Sequence, residues 1–208
     1  MLNWITVSLP ISEEMAVYKN LIDKRPVIEN TRNFSDHGMY ESSLHLPLHT
    51  GTHVDYPLHA ISGGKCSSDY ECFPAEFDAY VVDVTGSPSE CLGPEHIQNI
   101  PMQELDAVFF KTRATILREF DPLFPWLTGE AAALLTGHAI KFVGIDQPGI
   151  ERNQPAHETH IQLLERDILI IEGLDLSRIE GGKHHFRAFT LNVKGVEAEP
   201  VMIYAAPD

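Results

Sequence analysis

His49-Thr-Gly-Thr-His-Val-Asp-Tyr-Pro-Leu-His59 gathers three imidazoles and a carboxylate, those of His49, His53, His59 and Asp55, within one short stretch. All four positions are odd-numbered, so an extended chain would send their side chains from a single face, with Gly51 leaving room between the first two. A helix would also pair His49 with His53 at i,i+4. Gly51, the β-branched Thr50, Thr52 and Val54, and Pro57 make a continuous helix unfavourable, and strand or loop is the better reading. Neutral imidazoles beside a carboxylate suit zinc, manganese or iron, whereas a calcium site would be richer in oxygen. A lone histidine is usually a hydrogen-bonded core or surface residue. Donors clustered this closely mark a metal site, with His49, His53 and Asp55 as ligands and His59 as a fourth functional group.

A second cluster follows about a hundred residues later, at His157-Glu-Thr-His160. It leads through Ile-Gln-Leu-Leu-Glu-Arg-Asp into the apolar run Ile168–Ile171, which ends on Glu172. Only Glu-Thr separates the histidines, so the zinc-protease pattern His-Glu-x-x-His is absent. A carboxylate buried after four apolar residues needs a partner, and a cation would supply one. His157 reads as a helix-surface residue or as a partner behind a ligand. His184 and His185 follow Glu180-Gly-Gly-Lys and are expected in a turn before a strand, with solvated rings. His37, His45, His96 and His138 have no partner at ligand spacing, and Asp146 ends a strand where it either lines the site or caps a turn.

Around these motifs the chain is strand-rich. Short β-type runs occur at Trp4–Leu9, Tyr80–Val84, Ala107–Lys111, Lys141–Ile145, Ile168–Ile171 and Ala188–Val193. One helix is predicted after a Thr128 cap and ends at Gly137, and a second spans Pro155–Arg166. Ile61–Glu71 reads as a surface loop. No repeat, low-complexity tract or linker divides the 208 residues, so one domain over residues 1–208 is expected.

Composition narrows the function. A net charge of −15, from 15 basic against 30 acidic residues, argues against a nucleic-acid partner. No apolar run approaches the roughly 20 residues that cross a bilayer, and the N-terminus lacks the basic start of an export signal. Cys66, Cys72 and Cys91 lack CxxC spacing and fit a reducing cytoplasm. There is no Gly-x-Ser-x-Gly elbow, no Cys/His pairing and no phosphate-binding glycine loop, so covalent acyl transfer and nucleotide binding have little support.

Through His49-Thr-Gly-Thr-His-Val-Asp-Tyr-Pro-Leu-His59, the chain resembles the cyclase family of metal-dependent hydrolases, which includes bacterial kynurenine formamidase and isatin hydrolase. The likeness continues in Ile5-Thr-Val-Ser-Leu-Pro-Ile, Val143-Gly-Ile-Asp-Gln-Pro, His160, Ile171-Glu-Gly-Leu and Glu199-Pro-Val-Met-Ile, in the same order. The resemblance implies a mixed α/β fold of the swivelling β/β/α type, assembled as a homodimer or homotetramer. It implies one or two ions, Zn2+ or Mn2+: His49, His53 and Asp55 hold one, and His160 and Glu172 hold a second that Asp55 can bridge. His59 matches the family's acid/base histidine. Departures fall at Tyr18-Lys-Asn-Leu-Ile, at Ala60 and at Arg113, where the family shapes its pocket, so they bear on substrate more than on chemistry.

The expected reaction is amide hydrolysis. A cation with an open coordination position lowers the pKa of water from 15.7 to about 7, and His59 passes a proton to the leaving nitrogen. The substrate would be a small-molecule amide, an arylformamide or a small cyclic amide. A dehydratase or cyclase using the same site, and a non-catalytic protein stabilised by its metal, are the alternatives; an acid/base histidine beside the ligands favours an enzyme.

Overall fold

Ala107-Val-Phe-Phe-Lys111 is buried along its whole length because both of its faces are covered, and this layering organises the molecule. The computed structural model describes residues 4–71, 73–86 and 89–206. Cys72 and the extreme termini lie outside them. The elements run β1 (Ile5–Thr6), β2 (Val27–Arg32), α1 (Phe34–His37), β3 (Glu41–His45), β4 (His53–Asp55), β5 (Ala75–Asp83), β6 (Cys91–Leu92) and β7 (Ala107–Lys111). They continue with β8 (Trp126–Leu127), α2 (Gly129–Leu135), β9 (Phe142–Ile145), α3 (Glu158–Leu164), β10 (Leu169–Glu172), β11 (Gly182–Thr190) and β12 (Ala198–Ala205).

One sheet has the order β1-β12-β11-β5-β7-β9-β10-β4, and β4 also pairs with β12. That last pairing closes seven strands into a barrel and leaves β1 attached outside the ring. β5, β7, β9 and β10 run parallel, and the remaining junctions are antiparallel. The fold is therefore mixed α/β, with few helices. Phe77, Ala79, Phe109, Phe142, Ile171, Phe186 and Ile203 belong to one core cluster, the barrel interior. Val108, Phe110, Val143 and Ile170, which alternate with them, join Ala131, Ala132, Leu135, Leu163 and Leu164 in a second cluster under α2 and α3. Burying a side chain such as Phe109 contributes about 1.5–3 kcal/mol, so the double layer dominates stability.

Both predicted helices form. Thr128 caps α2 by accepting from Ala131 N at 3.1 Å. The second helix starts three residues later than Pro155, because His157 takes a left-handed conformation (φ 53) at its N-terminus. The largest correction concerns β11. It begins at Gly182, so His184 and His185 lie within a strand and not in a turn, because Gly182 to Ala188 pair residue by residue with β5 from Val81 back to Ala75. β5 likewise starts at Ala75, five residues before the expected run. β2 and β3, which the apolar pattern did not suggest, form a hairpin outside the barrel, exposed along its length. No helix among the described residues is long and apolar enough to cross a membrane.

Candidate metal centre

Strand parity builds the heart of the site. Val54 points into the barrel core while His53 and Asp55 leave the opposite, outer face of β4. On the neighbouring strand Ile171 points inward and Glu172 outward, and Glu172 pairs directly with His53. His160 comes from α3, which packs over that outer face. Four predicted site residues thus converge between barrel wall and helix.

The expectation that four alternating side chains share one extended face fails at both ends. Residues 48–52 form a turn, in which Gly51 adopts φ +75, and Pro57–His59 is a single 3-10 turn opened by proline. These turns, and not strand alternation, bring in His49 and His59. The first is clamped by a close approach: a Cβ at Gly173 (φ +68) would stand 2.3 Å from Gly51 O. Thr52 Oγ1 donates to Gly173 O at 2.5 Å and accepts from Leu9 N at 2.8 Å.

The donor atoms face one another at short range. His53 Nε2 lies 3.5 Å from both Asp55 Oδ1 and Glu172 Oε2; His160 Nε2 lies 3.7 Å from Asp55 Oδ2 and 3.5 Å from Glu172 Oε1. His49 Nδ1 is 3.0 Å from Asp55 Oδ1, and its Nε2 is 3.3 Å from Glu197 Oε1. His59 stands at the open rim, its ring 4.2 Å from that of His49 and 5.3 Å from that of His160. Asp55 is fully buried, yet among the described residues neither of its oxygens has an aligned hydrogen bond, only the facing imidazole nitrogens, and His53 Nε2 likewise has none.

A buried carboxylate in that state is costly unless a cation meets it. Donors at 2.0–2.2 Å from a shared tetrahedral cation stand about 3.3–3.6 Å apart, close to the spacing between His53, Glu172, His160 and Asp55. The residues fit a divalent metal in donor type and spacing. Among the described residues, donors close enough to share an ion fall into three sets, His53/Asp55/Glu172, His49/Asp55/His59 and, on the far side of His160, Glu151/His157/His160; Asp55 belongs to the first two. His53 is thereby grouped with Glu172, and His59 is as close to Asp55 as a ligand would be.

Electrostatics within the cluster are strongly coupled. Burial pulls the His53 imidazole down, but the Asp55 and Glu172 carboxylates outweigh it and raise its pKa to about 9. His160 is raised in the same way against burial, chiefly by Asp55 and Glu151. Burial pushes Asp55 and Glu172 up, and the neighbouring imidazoles more than reverse this, leaving both below the ordinary carboxylate range. At His59, exposed at the rim but with its ring set among those of His49 and His160, desolvation by these neighbours prevails over Asp55, and the imidazole is shifted down, toward its neutral form.

Some residues fall outside the site. Asp146 does not line it: its carboxylate accepts from Thr112 N, Thr112 Oγ1 and Arg113 N, capping the turn after β7. His185 pairs across strands with Asp78 at 2.9 Å, and His184 Nε2 contacts Glu180 O. Sequence reading missed two acids, Glu197 beside His49 and Glu151 beside His160. It also missed Ile150, whose N–H donates to Glu172 Oε1 at 2.6 Å. The available signal was an acid shortly after the strand end at Asp146, which does not by itself reveal burial.

The Cyclase family model matches residues 5–152. The chain belongs to the Cyclase family. The kynurenine formamidase of Salinibacter ruber is 29% identical over 98% of both chains. A solved structure described as a "predicted metal-dependent hydrolase" from Bacillus stearothermophilus is 32% identical and superposes with a TM-score of 0.87, covering 99% of this chain and 98% of that one. The isatin hydrolase of Ralstonia solanacearum, 17% identical with a TM-score of 0.81 over 100% of this chain and 92% of its own, shares the fold.

Proposed function

We propose that this Cyclase-family chain is a metal-dependent hydrolase of C–N bonds other than peptide bonds, acting on an arylformamide such as N-formylkynurenine or on a small cyclic amide. The observation that carries the metal reading is the fully buried Asp55 carboxylate, with no aligned hydrogen bond among the described residues, between the facing nitrogens of His53 and His160. His49, His53, Asp55, His160 and Glu172 hold one or two ions, zinc or manganese. A bound ion would activate water and polarise the substrate carbonyl. His59, at the solvent-facing rim with its imidazole shifted toward neutrality, accepts a proton there and delivers it to the leaving nitrogen. An exposed histidine at the edge of a buried donor set is what a reacting site needs and a purely structural site does not. Kynurenine formamidase activity in a relative aligned over 98% of its length supports the amide class.

The family's description as cyclases favours one second reading, ring closure or dehydration at the same site. We place the protein in the cytoplasm, in the swivelling β/β/α class, and as a homodimer or homotetramer; the apolar side chains of Ile28, Phe34, Tyr40 and Leu44, exposed on the β2–β3 hairpin, support assembly.

The test is to purify the protein without chelator, measure its metals by mass spectrometry, and follow N-formylkynurenine with product analysis. Stoichiometric zinc or manganese with chelator-sensitive formate release supports the formamidase. Metal without turnover moves the search to cyclic amides, a cyclised or dehydrated product favours the second reading, and failure to take up metal on reconstitution overturns the proposal.

A further inference from the structure

Glu151 is placed to organise the cluster without belonging to it. Its side chain is 8% exposed, and both of its oxygens are engaged on the side of His160 that faces away from Asp55 and Glu172. Oε2 lies 3.0 Å from His160 Nδ1 and accepts from His160 N at 3.2 Å; Oε1 meets His157 Nδ1. The opposite ring nitrogen of His160, Nε2, is the one directed at Asp55 and Glu172. A carboxylate behind one imidazole nitrogen and a metal-ligand cluster before the other is the arrangement by which proteins fix the tautomer and aim of a ligating histidine.

The surrounding backbone supports that role. Ile150, immediately before Glu151, donates its N–H to Glu172 Oε1, so one dipeptide braces both Glu172 and His160. The left-handed His157, at the N-terminus of α3, lays its otherwise exposed ring on the second oxygen of Glu151. The Nδ1 contact, at 3.0 Å, lies off the axis of a straight hydrogen bond, and among the described residues Nδ1 has no other hydrogen-bond partner.

We propose that Glu151 is the positioning residue of the metal centre, holding His160 with Nδ1 protonated and Nε2 free to ligate, while His157 steadies the Glu151 carboxylate. The proposal rests on the metal reading of the site.

The experiment titrates metal-free protein with Zn2+ alone, against a chromophoric chelator, for wild type, Glu151→Gln, Glu151→Ala and His157→Ala. The expected result is a 10–100-fold weaker zinc affinity for Glu151→Ala, in the range typical of lost outer-sphere partners. Glu151→Gln keeps an acceptor oxygen and should fall between it and wild type, and His157→Ala should weaken binding least. Proton and nitrogen-15 NMR of the zinc-loaded wild type should show a slowly exchanging His160 Nδ1–H shifted downfield by the Glu151 carboxylate, with the slow exchange and the downfield shift lost in Glu151→Ala. Should Glu151→Ala fail to fold, the nearly isosteric Glu151→Gln carries the comparison. Wild-type zinc affinity in a folded Glu151 variant, with the His160 Nδ1–H resonance and its exchange unchanged, overturns the positioning role. If wild type itself takes up no zinc, the metal reading fails first and this proposal goes with it, an outcome distinct from variants that bind as well as wild type.

Discussion

The two halves of the donor cluster are held by different means. His53, Asp55 and Glu172 ride on β4 and β10, adjacent strands whose register sets Glu172 opposite His53 and whose other faces are anchored in the barrel by Val54 and Ile171. His49 and His59 ride on turns at either end of β4, one held by the Gly51–Gly173 contact and one by a proline-initiated turn, and His59 is exposed. The strand half is buried and over-determined, as a cation-binding core requires. The turn half is more accessible and more easily displaced, which suits groups that must meet a substrate. A catalytic site needs both properties, and this one divides them between secondary-structure types.

The sharpest way to break the comparison is at its shared member. Asp55→Ala removes the carboxylate common to both donor sets and leaves the buried imidazoles of His53 and His160 without their central counter-charge. Loss of bound metal and of all measurable turnover is expected together, read by metal analysis and assay on the same preparation; retained metal would show that the two halves do not meet at Asp55. Next in size is Gly173→Ala, which forces a Cβ against Gly51 O at a left-handed position. A loss of about 2–5 kcal/mol is expected from the combined conformational strain and overpacking, read by chemical denaturation, with turnover falling further than folding alone explains. An unchanged unfolding midpoint would mean that the turn is not clamped as described.

The strand half was legible because period-two alternation is a local rule. Once His53-Val54-Asp55 is read as extended, its two polar side chains must share a face, and the same rule carries Ile171-Glu172. The turn half was misread by extending that rule beyond its range: Gly51 and Pro57 were visible, but the direction each sends the chain depends on Ile11, Met15 and Gly173 packing against the first turn. Barrel closure was hidden as well, since Glu199-Pro200 gives little sign that it pairs with Val54 and His53. Polar Lys183, His184 and His185 looked like a turn because their β-partners, Tyr80, Ala79 and Asp78, are about a hundred residues away. Glu151 went unnoticed for a more local reason: its carboxylate meets His157 and His160 only once the start of α3 turns back onto it, which the loop sequence does not announce.

A smaller effect on the centre, confined to the turn half, is expected from His59→Ala. Metal content should stay at the wild-type level while kcat drops about 10²–10⁴-fold, the usual contribution of a positioned acid/base group. Full activity would rule out proton transfer by His59. Metal loss would instead make it a ligand, a role that its proximity to His49 and Asp55 permits geometrically.

The mildest test lies behind the first turn. Thr52→Val keeps the shape and β-branching of the side chain but deletes the hydroxyl that joins Leu9 N to Gly173 O. Two buried backbone groups lose a partner, so a destabilisation of about 1–3 kcal/mol is expected in denaturant unfolding. Because the strand-held donors are fixed by the β4–β10 ladder, zinc affinity should change little, and only the His49 side of the cluster should loosen. Thr52→Ser, which retains the hydroxyl, should recover most of the loss. If Thr52→Val instead lowers zinc affinity as much as a ligand substitution does, strand and turn are a single mechanical unit and the division drawn above is wrong.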